Sequence, residues 1–537
     1  MSDRTTGGWA PSRRTLLALA AAGFVHPGGA SAQAEAPRRG GTLNFVIHPE
    51  PTTLACFNTT EGPAIQASTK VHEGLLTYDF DLTPRPQLAT AWEVSDDGLE
   101  YRFALRRGVT WHDGTPFTAA DAAFSIGLLR ASHPRGRTTF ANLKEARAAD
   151  PHTLVLTLAR PAPYLLAALA GAESPMLPRH LYEGKGDPLA NPANRAPVGT
   201  GPFVFREWVP GSHVAYVRNP NYWDPGKPYL DELVVRIIPD GAARAAAFET
   251  GDVDLGGATP VAPPDVARFA ALPHLGLESR GNEYGPTIYG IEFNLDNPYL
   301  RHRAVRQAIA HAIDRPALLK VAWYGLGDPS DSVVSPTLNE FYNPDVPRYA
   351  FDPGRAERLL DEAGFPRKGR TRFTLTHDYQ PFGEGFKRTG EVIRSSLARI
   401  GIDVTVRGQD FPSYLRRVYT DRDFDFTNHP FTNMFDPTVG LQRFFTSDNV
   451  RKGVAFTNAS RYANPEVDRL FAAIAVEGDR ARRKAAIDAI QTILLADLPV
   501  LPLFLSRSIT VFNRRVVNHT VGATGVSANF SELWLRG

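Results

Sequence analysis

The sequence predicts an α/β protein of two or three domains. Stretches with helical periodicity alternate with short apolar stretches typical of strands along the chain. The residues do not repeat at any fixed period, and 537 residues are enough for two or three domains. Gly and Pro concentrate in connections such as 188–202 and 220–228, which we expect to be long ordered loops. No clean linker separates the halves, so domains built from discontinuous segments are expected.

The clearest local unit lies in the second half of the chain. Residues 373–376 are predicted to form a strand, 384–400 an amphipathic helix and 402–406 a second strand. Gly401 suits the left-handed backbone conformation that commonly ends a helix. A strand, helix and strand in this order imply that the two strands are parallel.

Capping residues predict where three helices begin. Asp352 and Asn464 each stand before a proline, which combines a capping side chain with the residue preferred in the first turn. Thr118 and Asp121 have the spacing of a capping box in front of a helix over 122–129.

The first 32 residues are predicted to be an export signal that is removed. Arg13 and Arg14 precede an apolar run over 16–25, and a small-residue cleavage motif ends at Ala32. The run is shorter than the roughly 20 apolar residues that span a bilayer. Paired arginines here are typical of the twin-arginine route, and an ordinary secretory signal is the alternative.

The composition limits which partners the protein is expected to bind and in which compartment it is expected to work. The 59 basic and 57 acidic residues nearly balance, so neither nucleic acid nor an anionic membrane is an expected partner. No later apolar stretch reaches membrane-spanning length, so we expect a soluble exported protein. The single cysteine, Cys56, cannot form an internal disulfide and lies too far from the cleavage site to carry a lipid anchor. The periplasm is therefore expected, and free secretion is the alternative.

Motifs of enzymes and metal sites are missing from the sequence. It has no Gly-x-Ser-x-Gly, no His-Glu-x-x-His and no paired cysteines, and its 14 histidines are scattered. WHDG at 111–114 holds a histidine and a carboxylate, but an Asp-Gly turn after a strand explains it better. GTGP at 199–202 lacks the lysine of a phosphate loop and is predicted to be a turn with glycine at positive φ. We predict no catalysis, no cofactor and no metal.

Short blocks in a characteristic order carry a resemblance to a known family. The blocks are GTL at 41–43, EGLL at 73–76, LATAWEVS at 88–95, LRRGVTWHDG at 105–114, PVGTGPF at 197–203, NPNYW at 219–223, GDVD at 251–254, VRQAI at 305–309, LLDEAG at 359–364 and LPVLPLF at 498–504. In these blocks the chain resembles the extracellular solute-binding proteins of the dipeptide, oligopeptide and nickel importers, which form family 5 of the bacterial solute-binding proteins.

The resemblance implies a type II-like periplasmic-binding-protein fold, in which two α/β lobes with an extra subdomain enclose a hinged ligand cleft. The first lobe would comprise 33–77, 198–284 and 506–537, the extra subdomain 78–197, and the second lobe 285–505. Ligand would shift the population towards a closed form that the transporter recognises, without chemistry on the ligand.

The resemblance also implies where a ligand would bind. Family members that bind dipeptides hold the ammonium with an aspartate three residues before an Asp-Pro pair, and the carboxylate with an arginine earlier in the lobe. The pair here is Asp436-Pro437, so the aligned positions are Asn433 and, by spacing, Gln380. Neutral amides leave both ligand charges uncompensated. A longer peptide, an opine or another neutral or amide-rich solute is therefore expected rather than a free dipeptide.

Neighbours of these amides complete the predicted ligand site. Thr432 precedes Asn433 directly. The aromatic side chains expected to form stacking walls are Phe431, Phe435, Tyr379 and Phe382. Ordinary core packing is the alternative for these aromatics.

The leading hypothesis is a monomeric periplasmic binding component of an ABC importer. Its partners would be a small-molecule or peptide ligand and the permease and ATPase complex at the inner membrane. One alternative is an exported hydrolase acting on peptides or esters. Another is a lobed periplasmic sensor or chaperone-like protein without a dedicated importer.

Overall fold

The computed structural model describes residues 35–381 and 383–537. Arg13, Arg14 and Ala32 of the predicted export signal lie outside these residues, and so does Phe382 of the predicted ligand site. Within the described part of the chain, no helix is long and apolar enough to cross a membrane.

Strands occur along the whole described chain, as the alternating pattern predicts. They are β1 (Thr42–Ile47), β2 (Leu76–Tyr78), β3 (Pro84–Pro86), β4 (Ala89–Val94), β5 (Glu100–Leu105), β6 (Leu143–Asp150), β7 (Thr153–Leu158), β8 (Phe203–Val209), β9 (His213–Arg218), β10 (Glu232–Ile237), β11 (Leu255–Gly256), β12 (Leu275–Glu278), β13 (Thr287–Phe293), β14 (Gly327–Pro329), β15 (Phe373–Tyr379), β16 (Ile402–Arg407), β17 (Phe426–Thr432), β18 (Val500–Ser506), β19 (Thr510–Asn513), β20 (Val516–Val517) and β21 (Trp534–Leu535).

Helices alternate with these strands. The α-helices are α1 (Gly62–Ser68), α2 (Ala119–Ser132), α3 (Gly136–Thr139), α4 (Arg179–Tyr182), α5 (Gly241–Thr250), α6 (Pro263–Ala270), α7 (Arg303–Ala312), α8 (Arg315–Trp323), α9 (Pro353–Glu362), α10 (Glu384–Arg399), α11 (Phe411–Leu415), α12 (Pro437–Gly440), α13 (Gln442–Phe445), α14 (Pro465–Ile474) and α15 (Arg480–Asp497). Short 3-10 turns are Cys56–Asn58, Leu166–Ala168, Pro188–Ala190, Pro192–Asn194, Ser447–Asn449 and Gly525–Ser527, and Arg416–Asp421 is a π-helical turn.

A seven-stranded mixed sheet has the strand order β12-β19-β11-β1-β10-β9-β8. Strand β1 runs parallel to β10 and β11, and the remaining pairs are antiparallel. The strands come from three stretches that are far apart in sequence. Leu43, Phe45 and Leu233 lie at the centre of its core.

A six-stranded mixed sheet has the order β14-β18-β13-β17-β15-β16 and contributes to the largest hydrophobic core. Strand β15 is parallel to β16 and β17, and the other pairs are antiparallel. Residues 500–504 of β18 are all buried. An unbroken buried run is expected in a strand whose two faces are both covered.

A smaller antiparallel sheet, β4-β5-β7-β6, packs against α2. Tyr101, Phe103 and Leu105 of β5 are buried while the residues between them are more exposed. This alternation is typical of a sheet with one face on the core and one towards water. The three large sheets fall within the predicted lobes and subdomain, and the predicted boundaries between these parts stay predictions.

The predicted strand–helix–strand unit is confirmed. Strands β15 and β16 pair in parallel, with Phe373 opposite Ile402, and α10 connects them. Gly401 has φ of +80°, the left-handed value that a helix C-terminus favours.

The predicted helix starts are also confirmed, because capping is a local interaction. The Asp352 carboxylate accepts a hydrogen bond from the Arg355 N–H at 2.8 Å in front of α9. Asn464 accepts from Glu466 N–H in front of α14. Asp121 accepts from the Thr118 N–H at 2.9 Å, although α2 begins three residues earlier than predicted.

The prediction of positive φ in the GTGP turn was wrong. Neither Gly199 nor Gly201 has a positive φ. Glycine is needed there for close approach, since a Cβ at Gly199 would lie 1.9 Å from the Val71 carbonyl oxygen. His112 bonds to the Gly201 carbonyl at 2.9 Å, so WHDG and GTGP form one structural contact.

The chain passes between the seven-stranded and six-stranded sheets at two places. Residues 279–286 connect β12 to β13, and residues 507–509 connect β18 to β19. The Asn282 amide donates to the Ser508 carbonyl at 3.5 Å, so the two connections are adjacent. A pair of short adjacent connections is the arrangement expected of a hinge between lobes.

Candidate ligand-binding site

A cavity of about 590 Å³ lies where the parts built on the three large sheets meet. We call it the central cavity. Its lining residues are Thr60, Ile65, Pro134, Arg135, Ala172, Glu173, Gly281, Asn282, Tyr284, Gly285, Gln380, Pro430, Thr432, Met434, Val439, Gly440, Arg443, Phe444, Ala455, Phe456, Ala523, Thr524 and Ser527. Four of them belong to the connection 279–286. We call the two adjacent connections between the sheets, 279–286 and 507–509, the crossing, and the cavity therefore lies next to it.

Gln380 is a wall residue of the central cavity and follows β15 directly. Its side chain is fully buried, yet neither the amide oxygen nor the amide nitrogen has a hydrogen-bond partner among the described residues. A buried amide without partners costs about 1–3 kcal/mol. Such an unsatisfied group beside a cavity calls for a structural or functional explanation.

Asn433 is buried to the same extent but is not free. Its Oδ1 accepts from the Ser335 N–H at 2.6 Å, and its Nδ2 donates to the Val333 carbonyl at 2.8 Å. Its own N–H donates to the Pro286 carbonyl at 2.8 Å. Asn433 therefore ties the 333–335 segment and the crossing to the end of β17, and it is not among the residues that line the cavity.

The other predicted site residues separate into wall and core positions. Thr432 lines the central cavity, with its hydroxyl 3.1 Å from that of Thr287. Phe431 points into the core, where its ring lies 5.0 Å from that of Phe444. Tyr379 is half-buried, with its hydroxyl beside Gly408.

Phe435 also lies in a hydrophobic core, but in the one around the four-stranded sheet rather than that of its own six-stranded sheet. Its ring lies 5.0 Å from Tyr284 of the crossing, and Tyr284 lies 5.3 Å from Tyr78. Phe435, Met434 and Val439 share a hydrophobic cluster with the residues around the four-stranded sheet. Apolar side chains that follow β17 are thus buried by the other side of the cavity.

An ion pair that the sequence did not reveal lies in the cavity wall. Arg135 donates to Glu173 through Nε at 2.8 Å and also through Nη2. Burial is the largest single influence and by itself would raise the pKa of Glu173, but the charge of Arg135, the neighbouring His133 and the hydrogen bond from Arg135 together lower that pKa below its ordinary value. His133 stands 3.7 Å from the same carboxylate, and burial lowers the pKa of His133. The pair therefore stays charged and presents both signs to the cavity.

A second missed residue is Arg443, on α13. Its Nε donates to the Phe456 carbonyl at 2.6 Å, and its guanidinium lies over the Phe444 ring. Among the described residues its hydrogen bonds go to backbone carbonyls, and it forms no ion pair with a carboxylate. Burial lowers the pKa of Arg443, and the charge of Arg135 lowers it further. Besides the neutral amide of Gln380, the wall of the cavity therefore contains charged side chains that the sequence did not reveal.

These residues suit recognition of a small polar solute. The wall combines apolar and aromatic surface with a few converging polar groups, which is typical of ligand pockets of this size. In residues 35–381 and 383–537, no group of three or more His, Cys, Asp or Glu side chains is arranged to hold a metal ion.

Curated relatives match most of the chain. The glutathione-binding protein GsiB of Escherichia coli K12 is 27% identical over 478 residues, which cover 87% of this chain and 89% of that protein. The heme-binding protein A of Haemophilus influenzae is 29% identical over 500 residues, with 87% and 88% covered. Both relatives are binding proteins.

Solved structures of similar proteins share the fold. The periplasmic binding protein DppA of Helicobacter pylori, in complex with the peptide STSA, is 25% identical with a TM-score of 0.78, and 93% of this chain and 99% of that one are covered. AgaA from A. tumefaciens R10, in complex with agropinic acid, is 27% identical with a TM-score of 0.74, covering 93% and 99%. NikA of Brucella suis, in complex with Fe(III)-EDTA, is 26% identical with a TM-score of 0.81, covering 92% and 100%.

The family model of the bacterial extracellular solute-binding proteins, family 5, matches residues 83–452. The matched region includes the whole four-stranded sheet, parts of the other two large sheets and most of the cavity wall. With the two-lobed fold and the cavity at the crossing, this match confirms the resemblance read from the sequence. The chain therefore belongs to the family 5 bacterial extracellular solute-binding proteins and is a substrate-binding component of an ABC importer.

Proposed function

We propose that this protein is exported to the periplasm, closes on a peptide-like solute in the central cavity, and leaves the solute chemically unchanged. The observation that carries the proposal is the cavity itself, which is lined from both sides of the crossing and contains the unpartnered Gln380 amide. Arg13 and Arg14 support the twin-arginine route for export. The protein would then deliver the solute to a membrane permease and its ATPase as a monomer.

The size of the cavity supports a solute of a few residues. Its volume of about 590 Å³ falls within the range of about 300–1,000 Å³ typical of small-molecule sites. Similar proteins bind ligands of this scale: one is in complex with the tetrapeptide STSA, and another is named for glutathione. Amide-rich ligands would also satisfy the free donor and acceptor of Gln380.

The packing of Phe435 supports closure as the functional event. Moving the lobes apart would expose Phe435 and Met434, which are now buried against the residues around Tyr284. Exposing a buried aromatic or methionine side chain costs about 1.5–3 kcal/mol, so this contact favours the closed form. A ligand that touches both walls would favour it further, because it binds the closed form best.

The test is to identify the ligand and measure closure. The mature protein is purified, denatured, and the released small molecules are identified by mass spectrometry. Refolded or ligand-depleted protein is then titrated with the identified solute, and the radius of gyration is followed by small-angle scattering. We expect compaction and a midpoint of thermal unfolding that rises with ligand concentration. Conversion of the solute to a product, or tight binding without compaction, would contradict the proposal.

A further inference from the structure

The charges in the wall of the central cavity do not cancel. Arg135 and Glu173 neutralise each other through two hydrogen bonds. Arg443 has only backbone carbonyls of Phe456 and Ala455 as hydrogen-bond partners among the described residues. The wall therefore carries one positive charge that the protein itself does not balance.

An unbalanced cation in a site that closes is costly. The Phe444 ring beneath the Arg443 guanidinium attracts the cation, but it replaces only part of the hydration that burial removes. Burial and the neighbouring Arg135 charge both lower the pKa of Arg443, so two unfavourable effects act on the same guanidinium. An anion in the cavity would relieve both effects, since it pairs with one cation and screens the other.

Arg443 also retains unused donors. A guanidinium has five N–H groups, and the bonds to Phe456 and Ala455 use Nε and Nη2. Its planar fork matches a carboxylate, which it can bind with two parallel hydrogen bonds. The Gln380 amide lies in the same wall and can donate to or accept from the rest of the solute.

We propose that the solute is a net monoanion whose carboxylate pairs with Arg443, while Gln380 bonds to a neutral part of the same solute. The inference rests on the proposed function and deepens it, because it assigns the charge of the ligand. It also explains how a chain with amides at 380 and 433 can hold an acid: the cation is supplied from α13 instead. The Arg135–Glu173 pair stays intact and adds no net charge.

The experiment compares each acid with its own amide. The probes are the N-acetylated tetrapeptide Ser-Thr-Ser-Ala with a free carboxyl terminus, the same peptide as its C-terminal amide, and glutathione with its diamide. Calorimetric titration at neutral pH gives an affinity ratio of acid to amide for each pair. The amide cannot form the charge-assisted bond to Arg443. We therefore expect the acid of each pair to bind about a hundredfold more tightly than its amide.

Three variants assign the preference to a residue. Arg443→Gln should reduce the ratio to within about threefold of unity, and Arg443→Lys should retain a reduced preference for the acid. Gln380→Glu adds a carboxylate to the wall and should abolish acid binding while the amide still binds. The control is Arg480→Gln, the same change at a side chain that is 84% exposed on α15, which should leave the ratio unchanged.

The outcomes separate this inference from the proposed function. Equal binding of acids and amides, or an acid preference that survives Arg443→Gln, would overturn the inference and leave the binding function standing. If Arg443→Gln does not fold, the Lys and Glu variants decide in the same way. Failure of every acid and amide to bind would overturn the peptide-like ligand class, and this inference with it.

Discussion

Asn433 and Gln380 are two fully buried amides on neighbouring parts of the six-stranded sheet, and their surroundings differ sharply. Asn433 follows β17, and its amide is bonded to the backbone of Val333 and Ser335. Gln380 follows β15, and its amide has no partner in the described chain. The alignment with dipeptide binders predicts that both are ligand contacts, but in the structure the Asn433 amide is bonded within the scaffold, whereas the Gln380 amide has no partner in the described chain.

The difference shows that polar groups around one cavity can serve two purposes: some are bonded within the protein and stabilise the fold, and others are left without partners. A buried group that is satisfied inside the protein stabilises the fold and has little left to offer a ligand. A buried group without partners costs stability until a ligand supplies them, which is the usual trade between stability and function. The same division holds between Arg135, which is paired, and Arg443, which is not.

The largest expected effect on stability comes from Asn433→Asp, which tests whether the Asn433 amide is structural. The new carboxylate oxygen would replace the donor that now faces the Val333 carbonyl, and it would be buried without a cation. We expect a loss of about 3 kcal/mol or more in the free energy of unfolding at neutral pH. Urea denaturation of the ligand-free protein measures it. The matched control is Gln380→Glu, which adds the same charge in the wall of a cavity that also contains Arg443, and should cost clearly less. Equal losses for the two variants would remove the distinction between them.

Breaking the paired cation should have the next largest effect. Glu173→Gln would leave Arg135 without its counter-charge, and we expect a loss of about 2–3 kcal/mol at pH 7. Because the pKa of Glu173 is lowered in the folded state, its contribution is present above the unfolded pKa of about 4.3 and is lost as pH falls through the folded pKa. The stabilities of the two proteins should therefore converge as pH falls below the unfolded pKa and through the folded one. A difference that does not shrink as pH falls would contradict the assignment to ionic pairing.

The smallest effect has the opposite sign. Gln380→Leu removes an unsatisfied amide, so we expect stability to rise by up to about 1 kcal/mol while ligand affinity falls about tenfold. Asn433→Leu is the counterpart, and it should destabilise the protein because Ser335 N–H and Val333 C=O lose their partner. Thermal unfolding and calorimetric titration with the identified solute check both halves. A stabilised Asn433→Leu variant would show that its bonds are not structural.

The local features of the fold were predictable from the sequence. The unit formed by β15, α10 and β16, the left-handed Gly401 and the caps at Asp352 and Asn464 all depend on residues a few positions apart. The family was also predictable, because its blocks are spread along the whole chain and keep their order. The role of Gly199 was not, because it depends on the backbone at Val71, far away in sequence.

The charged part of the site escaped prediction for a similar reason. Arg135, Glu173 and Arg443 are brought to one cavity from positions up to about 300 residues apart, and no motif marks any of them. The one available hint was a charged residue within the otherwise uncharged and largely apolar stretch 439–445. A charged residue is seldom buried without a partner, so its position in an apolar stretch indicates a candidate ligand contact.

By itself the sequence determined the α/β class and the family, and it predicted that Asn433 and Gln380 align with the two positions at which dipeptide binders hold charge. Only the tertiary structure decided which of the two amides is free, and that a cation from α13 enters the same wall. The physical reason is that periodicity, capping and turn chemistry act between residues a few positions apart. Whether a buried group finds a hydrogen-bond partner, and what net charge a cavity wall carries, depends on all the segments that surround the cavity. The cavity is enclosed by segments that are far apart in the sequence, between Thr60 and Ser527.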